Sequence, residues 1–197
     1  MIHFSEACER NKDPILNILK AALRDSRTVL EIGSGTAQHA VYFGDNLPHL
    51  EWQPSDVPDN VYVARETLEK YCPVNVKIPV ELDVSRHPWP VTRVSAIFSA
   101  NTLHIMSWDQ VTHLFTGIGE TLIDGGTLCI YGPFRYNGDY TSQSNVDFDK
   151  YLKMRDSESG IRDFEAVNQL AQRQGLVLQR DNAMPANNQL IIWKRGL

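Results

Sequence analysis

Thr28-Val29-Leu30-Glu31-Ile32-Gly33-Ser34-Gly35-Thr36-Ala37-Gln38-His39-Ala40 reads as a strand, a tight glycine turn and the start of a helix. Val29 to Ile32 is a β-branched and aliphatic run, and Val41-Tyr42-Phe43 beyond the turn suits a helix. Gly33 and Gly35 let the backbone bend sharply and approach a ligand with no Cβ in the way. In an α/β protein this junction lies at the carboxyl end of a central strand, where ligands bind.

Outward from that junction the chain alternates strand and helix. Asp13-Pro14 reads as a helix start, with an amphipathic helix over 14–24. The first strand, 28–32, and a helix over 36–46 follow. A second strand, 50–56, ends in Asp56 and carries Pro54, which a central strand disfavours. The pattern then predicts a helix over 59–71, a third strand over 76–84, a fourth over 93–101 and a helix over 108–122. Asp124-Gly125-Gly126 caps that helix, and a fifth strand spans 127–131. Residues 132–147 are rich in Gly, Tyr, Ser and Asn and read as a long lid or binding loop. Helices over 147–155 and 163–174 and two closing strands complete the chain. The expectation is one domain with a Rossmann-like, mostly parallel seven-stranded sheet, helices on both faces and an antiparallel C-terminal strand.

Composition narrows the function. The 197 residues carry a net charge of −5 and no Lys/Arg cluster, which argues against nucleic acid as a partner. Cys8, Cys72 and Cys129 are scattered and form no C-x-x-C, so neither a zinc site nor a disulfide framework is expected. The absence of a long apolar run predicts no membrane association, and unpaired cysteines with no signal-peptide core point to the cytoplasm.

The glycine turn lacks the lysine of a P-loop. It also lacks the third glycine of a dinucleotide loop, because Gln38 stands there. Glu31-x-Gly33-x-Gly35-x-Ala37 instead resembles the form found in class I S-adenosylmethionine (SAM) methyltransferases. SAM has no phosphates and carries two cationic groups, which suits Glu31 near the turn. Asp56, at the end of the second strand, is placed to accept ribose hydroxyls, a device that NAD enzymes share.

Several further stretches resemble the methyltransferase-like 26 family, whose substrate is not established. They are Glu9-Arg10-Asn11-Lys12-Asp13-Pro14-Ile15, Ala100-Asn101-Thr102-Leu103-His104-Ile105, Gly132-Pro133-Phe134, Gly160-Ile161-Arg162-Asp163-Phe164-Glu165 and Met184-Pro185-Ala186-Asn187-Asn188. Ala37 departs from it, since glycine is more usual there. The resemblance implies SAM as cofactor, held by Arg10, Asn11, Glu31, Gly33, Ser34, Gly35, Gln38, Asp56, Asp83, Val84 and Asn101. In that reading residues 1–26 cover the cofactor and Arg10 pairs with its carboxylate.

His104, just past a strand end, is the candidate acid/base, with Asn101 beside it; a structural role for His104 is the competing reading. His39 reads as structural. Tyr131, Phe134, Tyr136 and Tyr140 are candidates to wall an acceptor pocket, and Arg162 and Asn187 to face it. The favoured function is methyl transfer to a small molecule. A protein or nucleic-acid methyltransferase, a non-catalytic SAM-fold protein and an NAD enzyme are the alternatives.

Overall fold

The computed structural model describes residues 4–196. In chain order the elements are α1 (Glu6–Ala22), β1 (Thr28–Ile32), α2 (Gln38–Asn46), β2 (Glu51–Asp56), α3 (Pro58–Leu68), β3 (Val80–Glu81), β4 (Val94–Ala100), α4 (Trp108–Thr121) and β5 (Leu122–Gly132). They continue with β6 (Phe134–Tyr136), β7 (Asp139–Tyr140), α5 (Gln143–Arg155), β8 (Arg162–Asp163), α6 (Phe164–Arg173), β9 (Leu176–Met184), a 3-10 turn Pro185–Asn187 and β10 (Asn188–Arg195).

The main sheet has seven strands in the order β3-β2-β1-β4-β5-β10-β9. β3 through β5 run parallel, while β10 is antiparallel to both β5 and β9. The expected Rossmann-like architecture is therefore the one observed. β1 pairs with β2 on one side and β4 on the other, so the winding direction reverses between β1 and β4. A crevice opens at the carboxyl ends of strands at such a switch point.

Side-chain alternation along each strand divides the core into two layers. Leu30, Ile97, Leu128 and Ile191 pack with Phe115, Ile118 and Val167 of α4 and α6. Val29, Ala96, Cys129 and Leu190 pack with Ile15, Leu19 and Phe43 of α1 and α2. Phe43, Trp52 and Phe98 form an aromatic knot in the second layer, with ring centroids 5.5 to 5.8 Å apart.

Four local readings change. The first helix begins at Glu6, and Pro14 lies inside it rather than at its start. Ser5 is the true cap, its hydroxyl accepting the Cys8 amide at 3.3 Å. The third strand shrinks to Val80–Glu81, with one isolated bridge from Trp52 to Val76. On that side of β2 the Trp52 amide donates to Asn75 at 2.9 Å, and Asp56 accepts from Leu82 at 2.8 Å. Pro54 lies between them, so its missing N–H falls where β3 is interrupted. The Asp124-Gly125-Gly126 segment lies within β5, which starts directly after α4.

The fourth change concerns 132–147, which is not a long loop. β6 and β7 form a hairpin across Asn137-Gly138, both with positive φ (50° and 83°). Asn-Gly is the preferred pair for this two-residue turn. α5 then begins at Gln143 behind the Ser142 cap. Among the described residues no helix is long and apolar enough to cross a membrane.

Candidate functional site

The glycine turn is held from beneath by β2. The Gly33 and Ser34 amides both donate to the Ser55 carbonyl, at 3.0 and 2.9 Å. The Gly35 amide donates to Asp56 Oδ2 at 2.7 Å. Gly33 (φ 74°) has a steric reason to be glycine, since a Cβ there would come 2.5 Å from Thr102 Cγ2. Gly35 (φ 53°) differs: a Cβ there would meet open space, so that side of the residue is open to a ligand.

Glu31 is buried below this turn. Its Oε2 accepts from Ser34 Oγ at 2.9 Å and Trp52 Nε1 at 3.1 Å. Burial pushes its carboxyl up to about 7, against the pull of those two donors. The side chain braces the loop and does not line the cavity above it.

That cavity measures about 950 Å³ and opens at the carboxyl ends of β1, β4 and β5. α1 forms one wall through Ser5, Cys8, Arg10 and Asn11, and Gly33 to Thr36 form the floor. Asn101, His104 and Tyr131 come from the strand ends. The far wall is Ser144, Asn145 and Phe148 of α5, closed by Pro185, Ala186 and Asn188. Arg10 is the one charged side chain among the described residues of this lining.

His104 is 7 % exposed. Burial, followed by the nearby Arg162 guanidinium, lowers its imidazole to about 4, so it is neutral near pH 7. Phe148 meets the ring edge-on at 5.2 Å. A Cβ on Gly132 would lie 3.8 Å from His104 Nδ1 and 3.9 Å from Asn101 Oδ1, so both polar groups lean over the same glycine. Asn101 has φ 60°, and its amide donates to the Tyr131 carbonyl at 2.8 Å. That left-handed residue turns the chain so that Asn101 and His104 reach one cavity.

The structure thus gathers Arg10, Asn11, Gly33, Ser34, Gly35, Asn101, His104 and Tyr131 around one space. Other expected residues sit apart from it. Gln38 grips the Ser5 backbone, accepting from its N–H at 2.5 Å and donating to its carbonyl at 3.3 Å. Asp56 is turned into the loop, its second oxygen accepting from the Val57 amide at 2.8 Å. Asp83 pairs with Arg86 at 3.3 Å and lines a separate cavity of about 230 Å³, while Val84 is buried.

Phe134 is buried in the opposite core layer, and Tyr136 donates to Asp181 at 2.6 Å. Tyr140 donates to Asp149 at 2.6 Å, behind α5. Arg162 is spent on the backbone carbonyls of Leu103, Met106 and Glu158. Asn187 donates to Ser144 Oγ at 3.2 Å, next to the cavity-lining Asn188.

Cys8, Ser144, Asn145 and Phe148 line the cavity without having been singled out in the sequence. For the α5 residues the available signal was the Asn137-Gly138 hairpin, which would have moved the helix start back toward Ser142.

The fold has many solved relatives. An O-methyltransferase family protein from Burkholderia thailandensis superposes with a TM-score of 0.84 at 16% identity, covering 97% of this chain and 58% of that one. Human N-acetylserotonin methyltransferase in complex with SAM gives 0.81 at 18%, covering 98% and 53%. An O-methyltransferase family 2 protein from Planctomyces limnophilus, in complex with apigenin, gives 0.78 at 19%, covering 93% and 57%. At these identities the likeness is one of fold, and this chain spans little more than half the length of each relative. By sequence, residues 2–195 match the family described as "Protein of unknown function (DUF938)", and the chain belongs to that family.

Proposed function

We propose that this protein is a SAM-dependent methyltransferase acting on a small-molecule acceptor, as its resemblance to the methyltransferase-like 26 family implies. The observation that carries the reading is the cavity of about 950 Å³ between the glycine turn and the α5 wall. It lies at the upper end of the range for ligand sites, room for a donor and an acceptor side by side. The lining fits the donor. Gly35 presents bare backbone, and the one cation, Arg10, suits a carboxylate better than a pyrophosphate.

When bound, SAM supplies a methyl carbon already activated by its sulfonium. The residues around it have the task of alignment. The α5 wall holds an acceptor atom about 3 to 3.5 Å from the carbon to be transferred and keeps water out. His104, neutral at pH 7, would accept a hydrogen bond from the acceptor's X–H group and take up its proton. Asn101, over the same glycine, would orient the same group. The unpaired cysteines suit a reducing compartment such as the cytoplasm.

The test is calorimetry with S-adenosylhomocysteine (SAH), SAM and NAD, followed by a metabolite-extract screen for labelled methyl incorporation. Micromolar SAH binding without NAD binding is expected. Failure to bind SAH or SAM would overturn the proposal.

A further inference from the structure

His39 and Asn11 form a buried pair that spans from α2 to α1. Asn11 is 8 % exposed and His39 5 %. His39 Nε2 lies 2.7 Å from Asn11 Oδ1. The ring is fixed on its other sides, stacked on Phe43 at 5.1 Å and meeting Phe98 edge-on at 5.9 Å. Burial lowers the imidazole to about 4, so it is uncharged at neutral pH and bonds to the amide as a neutral donor. With the oxygen of Asn11 held in this way, its nitrogen is the end left for the cavity. There it approaches the Tyr131 hydroxyl, which the amides of Asn11 and Asn188 hold against the rise in pKa that burial gives it.

Arg10, the neighbouring cation, is set differently. Its guanidinium makes a single contact, with Glu6 at 3.2 Å, and its side chain is 70 % exposed. An exposed pair of this kind contributes little and orients weakly. The better-anchored donor on the α1 wall is therefore the Asn11 amide.

We propose that His39 is a positioning residue that aims the Asn11 amide N–H groups at the carboxylate of the methyl donor. This rests on the methyltransferase reading and adds to it the device that reads the donor's amino-acid end. The glycine floor is within the same cavity, so a donor seated on it presents one end to α1. Selection for that end would then depend on an imidazole that acts through the amide it holds.

The experiment compares two probes by calorimetry: SAH, and 5′-methylthioadenosine, which shares the nucleoside but has no amino-acid end. The proteins are the full chain and its His39→Phe, Asn11→Ala and double variants. His39→Phe keeps a flat ring for the stack on Phe43. Each single variant is expected to weaken SAH about tenfold and to leave methylthioadenosine within twofold. The double variant is expected to be no weaker than Asn11→Ala alone, because His39 acts through Asn11. His39→Gln, which restores a side-chain N–H, is expected to recover part of the loss.

Equal loss for both probes, unchanged SAH affinity in His39→Phe, or independent losses in the double variant would each overturn the proposal. If His39→Phe shows no cooperative melt, Asn11→Asp decides. It is expected to weaken SAH more than Asn11→Ala does and to spare methylthioadenosine; loss of both probes overturns the proposal. A wild-type chain that binds neither probe overturns the methyltransferase reading itself, which separates the two failures.

Discussion

The Gly35 amide and Asp56 Oδ2, 2.7 Å apart, join the tip of the glycine turn to the end of the neighbouring strand. The same carboxylate accepts from the Val57 amide at 2.8 Å and the Asn60 side chain at 3.2 Å. One acidic residue thus closes the loop and ties it to the residues that open α3.

Asp56→Ala leaves those donors without a partner. The expected cost is about 2 kcal/mol of stability, measured by urea unfolding, together with at least tenfold weaker SAH binding. Unchanged SAH affinity would limit the carboxylate to a structural role.

His104→Ala is expected to cut labelled methyl transfer at least a hundredfold while SAH affinity stays within about twofold. Equal turnover in the variant would remove His104 as the proton acceptor. Asn101 is a companion case with a backbone term. Asn101→Gly tolerates the left-handed conformation and tests the amide alone, whereas Asn101→Val adds strain of about 1–2 kcal/mol. Melting temperatures for the two variants should separate accordingly.

Glu31, His39 and His104 together set a pH dependence of stability. Both histidines have folded pKa values lowered to about 4, so the stability they contribute is present above about 6.5 and lost as pH falls toward 4. Glu31 is raised to about 7, so its contribution is full below about 4.5 and lost as pH rises through 7. The expected maximum from these groups lies near pH 6.5. Glu31→Gln should flatten the alkaline side, and urea unfolding from pH 5 to 8 checks it. A wild-type curve still rising between pH 7 and 8 would contradict the assignment.

Gln38 holds α1 in place over the cavity through both backbone groups of Ser5, and also accepts from Thr36 Oγ1 at 2.9 Å. Gln38→Ala is expected to speed amide exchange in the first turn of α1 while β1 and β4 keep their protection. SAH release, followed by stopped-flow, should quicken several-fold. Protection of α1 equal to that in the wild type would show that the helix is held by its apolar face alone.

The β1–turn–α2 junction was legible because its signals are local. An aliphatic run has period-independent burial in a central strand, and two glycines in sequence mark a left-handed turn. The alternation of elements similarly implied the parallel sheet. The start of the first helix is hidden in the sequence because Asp13-Pro14 imitates a helix start within it. In the fold Asn11 and Asp13 are held by His39 and Tyr42 of α2, a tertiary support that compensates for the proline inside the helix. The 132–147 segment has the composition of a loop, yet Asn137-Gly138 within it announces the hairpin that the fold shows.

What the sequence alone determined was the ligand-facing junction, because strand, glycine turn and helix follow from residues adjacent in the chain. Only the tertiary structure decided which carboxylates and rings face the cavity. Glu31 and Asp56 are next to the turn yet face inward, since buried loop amides and the Trp52 N–H need acceptors. Phe148 and Asn145 are more than forty residues beyond His104, yet stand opposite it because α5 crosses the end of the sheet. Local propensity fixes where the chain turns, whereas the demand to satisfy every buried polar group fixes which way its side chains point.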